Sequence, residues 1–299
     1  MSEVPTTSNH NPDSVNATML ARRSLGVRII LFVLLFVTSV LVYTIAGYNY
    51  FMDATTRLIA KTIVATGLFV VAFILYRRAP RIYSKIAYSF AAVALGFLFA
   101  WLFGGWYELI PGLTVDSPAG IAAAKFAEVL PIVLTVIVLI TAAGDNLASL
   151  YVTGGNPVKG LLLGFAAVPV ELVLFAGMGG FAISVGIGML VGWIPWMLIF
   201  AFSNSFMEEL IIRGLFLRKY EVLFGPRASL IFTSVVFAAF HAPLLPFLGL
   251  VALAAFVFIT FVLGLLWGYT IQKTDSIWGA VLSHAIADML FFITYFGAL

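Results

Sequence analysis

The sequence predicts an all-α fold, a polytopic transmembrane helix bundle, and three observations carry that prediction. Of its 299 residues, 63% are hydrophobic and 10% charged, a balance foreign to soluble globular domains. Apolar runs near the roughly 20 residues needed to cross about 30 Å of hydrocarbon recur along nearly the whole chain. No period-two alternation suggests a transmembrane barrel, and the Gly, Pro and Phe inside the runs are residues that membrane helices tolerate.

Taken in order, the runs 29–48, 58–76, 86–104, 126–143, 160–180, 183–206, 228–245, 248–271 and 277–297 read as nine spans, for a bundle of about 8–9. Residues 1–21, rich in Ser, Thr, Asn and Pro, bury too little apolar surface to order themselves and are expected to form a disordered polar tail. The run at 29–48 fills the bilayer behind that long tail. It reads as a retained helix rather than a cleaved signal. Residues 22–182 then form N-terminal transmembrane helices, and 183–299 form a separate C-terminal core.

Cysteine is absent, which excludes disulfides, thiol nucleophiles, thiolate zinc sites and cysteine-linked lipid anchors on these residues. The net charge of +3 belongs to membrane-flanking residues and gives no reason to invoke nucleic acid. With the N-terminus in the cytoplasm, 13 of the 16 Lys and Arg fall on the cytoplasmic side. Only Arg57, Lys61 and Lys125 face outward. The positive-inside rule therefore predicts that orientation in a plasma (inner) membrane. Lys125 and Glu128 read as a solvated pair at an outer helix end. Trp101, Trp106, Trp193 and Trp196 read as interfacial anchors.

Against this apolar background stands Glu208-Glu209-Leu210-Ile211-Ile212-Arg213. A charge at bilayer depth costs about 2.5–3.5 kcal/mol on insertion scales, so such a cluster marks a functional site by default. Two of the three histidines, His241 and His284, lie in later apolar runs. At 1.5 Å per residue from the cytoplasmic helix ends, Glu208 sits roughly 16 Å deep, His241 about 20 Å and His284 about 12 Å. These depths overlap. Antiparallel packing can thus gather Glu208, Glu209, His241 and His284 in one cavity, expected to open toward the cytoplasm.

Glu209–Arg213, Phe237–His241 and His284–Asp288 are all i, i+4 pairs on one helix face. Arg213 can hold Glu209, and Asp288 can orient His284 as outer carboxylates do. Glu208 points about 100° away from Glu209 on a 3.6-residue turn, leaving it free for chemistry. A carboxylate and an imidazole around one water can remove its proton while a second imidazole steadies the oxyanion formed at a carbonyl. The same three residues, Glu208, His241 and His284, are also a His/His/acid set that can hold a divalent metal such as zinc. The residues leave both readings open, with no cofactor required in the first.

The ordered motifs resemble the CPBP family of intramembrane endopeptidases, which includes the type II CAAX prenyl protease. The family's Glu-Glu-x-x-x-Arg corresponds to Glu208, Glu209 and Arg213, its Phe-x-x-x-His to Phe237 and His241, and its His-x-x-x-Asn to His284 and Asp288. The resemblance covers roughly residues 190–295 and implies a catalytic helix core there. It implies that Glu208 and His241 activate water, that His284 with residue 288 steadies the oxyanion, and that the substrate is a membrane-associated peptide or protein. Asp288 departs from the pattern, because an ionised carboxylate cannot donate a hydrogen bond; that favours orientation of His284, a protonated acid or metal ligation.

Two other classes keep such residues. A proton-coupled transporter would, but would carry an internal repeat, whereas here the charged clusters are confined to the C-terminal half. A non-catalytic membrane scaffold or immunity-like partner is the other. Rival protease motifs are absent: no His-Glu-x-x-His, no Gly-x-Gly-Asp and no Gly-x-Ser-x-Gly occurs. Glu171 reads as an interhelical hydrogen-bond partner, and Asn204, one turn before Glu208, as either that or a site residue.

Overall fold

The computed structural model describes residues 25–49, 51–177, 186–242 and 249–297, so the polar tail expected at 1–21 lies outside the described residues. Helix α1, Leu25–Val40, runs into a widened π-helical turn, Leu41–Gly47. It is followed by α2, Ala54–Arg78, α3, Arg81–Phe103, α4, Pro118–Ala142, and α5, Pro157–Gly177. Helix α6, Ile187–Glu209, continues through a second π-helical turn, Leu210–Gly214, into α7, Leu215–Phe224. The chain closes with α8, Pro226–His241, α9, Leu250–Thr274, and α10, Trp278–Gly297. No strand occurs among the described residues.

Eight helices among the described residues are long and apolar enough to cross a membrane. Large apolar side chains such as Ile63, Phe73, Val138 and Val173 stand exposed around the outside, as a multi-pass membrane protein requires and a soluble one avoids. The ninth expected span, 228–245, is described only as far as residue 242 and is not among the eight. Its helix, α8, has 16 residues, roughly 24 Å at 1.5 Å per residue, short of about 30 Å of hydrocarbon. The motif helix is correspondingly long, 38 residues from Ile187 to Phe224.

Capping chemistry sets two starts that hydropathy misplaces. Ser117 accepts a hydrogen bond from the Gly120 amide at 3.1 Å and Pro118 takes the first helical position, so α4 starts at 118 rather than 126. Asp53 accepts from the amides of Thr55 and Thr56 at 3.0 and 3.1 Å to begin α2. The Thr56 hydroxyl and these amides hold the Asp53 carboxyl below its usual range. Its contribution to stability is therefore present above the ordinary carboxylate range and lost as pH falls through the lowered value. Lys61, expected on the outer side, is buried in α2. Its ammonium donates to the Ala46 and Gly47 carbonyls, the latter at 2.7 Å, where the end of the π turn presents unpaired oxygens.

Packing runs α2 on α3, α3 on α4, α4 on α6, α6 on α10, and α10 on α5, with α9 against α5, α8 and α10. One buried apolar cluster joins Val42 of the first helix to Ala287 of the last. The α5–α10 contact places His284. There Gly160 and Gly164 of α5 meet Gly279 of α10 so closely that a Cβ on Gly279 would lie 2.0 Å from the Gly160 oxygen, and one on Gly164 2.3 Å from the Gly279 oxygen. This is the small-xxx-small contact by which membrane helices approach without a hydrophobic drive. Gly279→Val is expected to separate α5 from α10 and lower stability by about 1–3 kcal/mol, read as a lower thermal midpoint of the detergent-solubilised protein; an unchanged midpoint would refute this packing.

Candidate active site

The two adjacent glutamates diverge as the helical turn requires. Glu209, with no solvent exposure, faces the protein interior, where its Oε1 lies 2.7 Å from Arg213 Nη1 and 3.0 Å from His284 Nδ1. Arg213 also donates from Nη2 to the Gly264 carbonyl at 3.2 Å. Its guanidinium lies over the Phe237 ring, 4.3 Å from the centroid. Gly264 is required there, since a Cβ would come within 3.0 Å of that nitrogen and 3.2 Å of Ser234 Cα. The widened turn carrying Arg213 is pinned from the π turn after α1, where the Tyr43 hydroxyl donates to the Ile211 carbonyl at 2.7 Å. Such π turns concentrate at functional sites because they re-aim side chains within a helix.

Glu208 faces the other way, into a cavity of about 610 Å³. Its Oε2 lies 3.7 Å from His241 Nε2 and 3.6 Å from His284 Nε2, and it has no hydrogen-bond partner among the described residues. Both separations exceed a direct hydrogen bond. Such spacing suits three groups that surround one small molecule better than three that bond each other.

Each imidazole is oriented through Nδ1. His241 Nδ1 is 2.8 Å from the Phe237 carbonyl; a carbonyl only accepts, so Nδ1 carries hydrogen and a neutral ring presents the Nε2 lone pair to the cavity. His284 Nδ1 is held by Glu209 rather than by Asp288. Asp288, expected to orient His284, stands at the other ring nitrogen: its Oδ1 is 3.8 Å from Nε2, an ion-pair distance too long for a hydrogen bond, while its Oδ2 accepts from Asn204 Nδ2 at 3.1 Å. The i, i+4 spacing put both groups on one face, but the ring turns its Nδ1 toward α6, where the charged partner stands.

Trp267 of α9 stacks on His284 with centroids 3.9 Å apart and planes 12° from parallel. The indole Nε1 donates to Glu171 and Ser283, each at 3.1 Å, and the Ser283 hydroxyl also donates to Glu171. Glu171 thus takes the interhelical role and is fully buried.

The cavity runs toward the end of the bundle opposite to the one expected. Its lining includes Tyr48 just after the π turn that follows α1, Lys125 and Glu128 near the start of α4, and Tyr295 near the end of α10. On the other side of the carboxylates, Leu210–Leu217 are all buried and close the bundle with packed side chains. Depth along each helix was readable from rise per residue. Which side of the carboxylates is filled was not. Lys125 and Glu128, 2.7 Å apart and partly buried, consequently belong to the cavity rather than to a solvated helix end. The misplaced start of α4 hid them; the Ser117-Pro118 cap would have revealed them.

Among the described residues no group of three or more His, Asp or Glu is arranged to hold a metal ion.

Residues 190–290 fit the family model described as Rce1-like, type II CAAX prenyl endopeptidase Rce1-like. This region is similar to that family. It contains all six motif residues, Glu208, Glu209, Arg213, His241, His284 and Asp288, and leaves α1 to α5 outside. No curated protein and no solved structure matched the chain. Where the family motif carries an amide at 288 the Rce1-like region has Asp288, and an amide stands beside it from α6, that of Asn204.

Because Glu209 and Arg213 are both fully buried, removing one charge strands the other. Arg213→Met is expected to destabilise by about 3–5 kcal/mol. The double variant with Glu209→Gln should lose less than the sum of the two single losses, which a double-mutant cycle of thermal or denaturant unfolding would show.

Proposed function

We propose that the protein is an intramembrane endopeptidase that hydrolyses a peptide bond of a membrane-associated substrate with water activated by Glu208 and His241. The observation that carries this reading is the Glu208 carboxylate, 3.6–3.7 Å from two imidazole nitrogens in a cavity inside a region similar to an endopeptidase family. The aromatic lining, Tyr48, Phe200, Phe256, Phe291 and Tyr295, suits an apolar peptide delivered from the bilayer.

In the proposed reaction, water between Glu208 and His241 attacks the scissile carbonyl carbon. One O–H bond breaks, with its proton passing to Glu208, and a C–O bond forms. The oxygen of the former carbonyl becomes an anion. His284, as imidazolium with Nδ1 held by Glu209, donates from Nε2 to that oxygen. Asn204 supplies an amide next to Asp288, in the place where Asp288 itself has no hydrogen to give. As the C–N bond breaks, Glu208 returns its proton to the leaving nitrogen, releasing an amine and a carboxylic acid. Glu209 and Arg213 touch no reacting atom in this scheme. They position His284.

Positive charges around the α2–α3 turn and α7 favour a cytoplasmic N-terminus in a plasma membrane, which would turn the cavity toward the outer face. The cysteine-free sequence makes that simple to test. Asp116→Cys, in the exposed turn before α4, is expected to react with a membrane-impermeant maleimide on intact cells, and Thr153→Cys only after permeabilisation; the reverse pattern would turn the protein over.

Glu208→Gln keeps the shape of the side chain and removes the base. Cleavage of membrane peptides by the purified protein is expected to fall by about 10²–10⁴-fold with no change in thermal midpoint, and wild-type cleavage to survive chelation. Full activity in Glu208→Gln would overturn the proposal. Activity abolished by chelator and restored by zinc would overturn its metal-free form.

A further inference from the structure

A second cavity, of about 480 Å³, lies between α2, α3 and α4 at the end of the bundle where α2 stops and α3 begins. One wall is apolar: Phe69, Phe73 and Tyr76 of α2, Tyr88 of α3 and Ile140 of α4. Phe73 and Tyr76 also stand exposed on the outside of the bundle, so this wall continues the lipid-facing surface inward.

The rim is charged. Arg81 and Lys85, one helical turn apart at the start of α3, line it together with Asp145. Lys85 Nζ is 2.8 Å from Asp145 Oδ1, with about half of the lysine side chain exposed. The Arg81 guanidinium lies 4.0 Å from the Tyr76 ring centroid, and that of Arg77 lies 5.4 Å from the centroid of Phe73. Two cations, Arg81 and Lys85, therefore share the rim with one carboxylate, and Arg77 stands over the ring of Phe73 in the neighbouring wall. No side chain caps α3, whose preceding residue is Pro80, so the positive end of that helix, at Arg81, lies beside the same rim.

We propose that this cavity binds an anionic phospholipid of the surrounding bilayer. The phosphate would lie on Arg81, Lys85 and the first turn of α3, and one acyl chain would lie along Phe69, Phe73 and Tyr88. Three features select this ligand together. A free phosphate would use the rim and leave the aromatic wall empty. A zwitterionic lipid would use the wall but bring its ammonium against Arg77 and Arg81. A lipid with net negative charge matches both halves, as basic pockets between membrane helices do for anionic headgroups. Asp145 opposes it. It competes for Lys85 and repels the phosphate, so its removal must strengthen binding.

The test uses the full chain purified in a neutral detergent and titrated in native mass spectrometry with dioleoyl phosphatidylglycerol or dioleoyl phosphatidylcholine. The first phosphatidylglycerol is expected to bind roughly tenfold more tightly than phosphatidylcholine. The double variant Arg81→Gln/Lys85→Gln should abolish that preference, and Asp145→Asn should increase it severalfold. The opposite signs separate binding from misfolding, since a damaged fold cannot produce the gain. Inorganic phosphate added in excess should leave phosphatidylglycerol bound. Equal binding of the two lipids by wild type, an unchanged preference in both variants, or displacement by inorganic phosphate would each overturn the proposal.

Discussion

A single carboxylate oxygen organises the centre of this molecule. Glu209 Oε1 is shared by Arg213 at 2.7 Å and His284 at 3.0 Å, with no water-accessible surface on the carboxylate or the guanidinium. Ions in such a place are tolerated only when the partner geometry offsets their desolvation. Here the offset requires α6, the widened turn after it and α10 to meet at fixed register, and α9 to bring Gly264 against the guanidinium. The ion pair is thus less a source of net stability than a condition on how four elements assemble.

That condition has a functional consequence. Holding His284 by Nδ1 leaves Nε2 directed at Glu208, and the Phe237 carbonyl does the same for His241. Both rings are oriented through Nδ1, His284 by Glu209, which does not line the cavity, and His241 by a backbone carbonyl. Trp267 adds a flat surface against His284 and is itself fixed by Glu171 and Ser283, so a carboxylate from α5, outside the Rce1-like region, supports the imidazole through an indole.

The N-terminal helices contribute in the same indirect way. Tyr43 pins the π turn, Lys61 ties α2 to the end of α1, and Lys125, Glu128 and Tyr48 extend the cavity beyond the six motif residues. With Leu210–Leu217 packed on one side of the carboxylates, the open space can only develop on the other, which is where those N-terminal residues stand. The second cavity draws on the first helices too, at the opposite end of the bundle.

The sequence by itself determined the fold class, the approximate spans and the identity of the charged motif residues, because hydrocarbon thickness and the scarcity of buried charge leave few alternatives in an apolar chain. It also determined that Glu208 and Glu209 face apart, since a helix turns about 100° per residue. Tertiary structure alone decided that Glu209, not Asp288, holds His284, that Trp267 stacks on that ring, and that the cavity lies toward Tyr48 and Lys125. The start of α4 was legible in Ser117-Pro118 but was masked by hydropathy, which averages over a window and cannot register a cap. The physical reason for the division is one of range. Helical periodicity and burial cost act on neighbouring residues and are written locally, whereas which nitrogen finds which oxygen across two helices depends on rotations and offsets that no single segment contains.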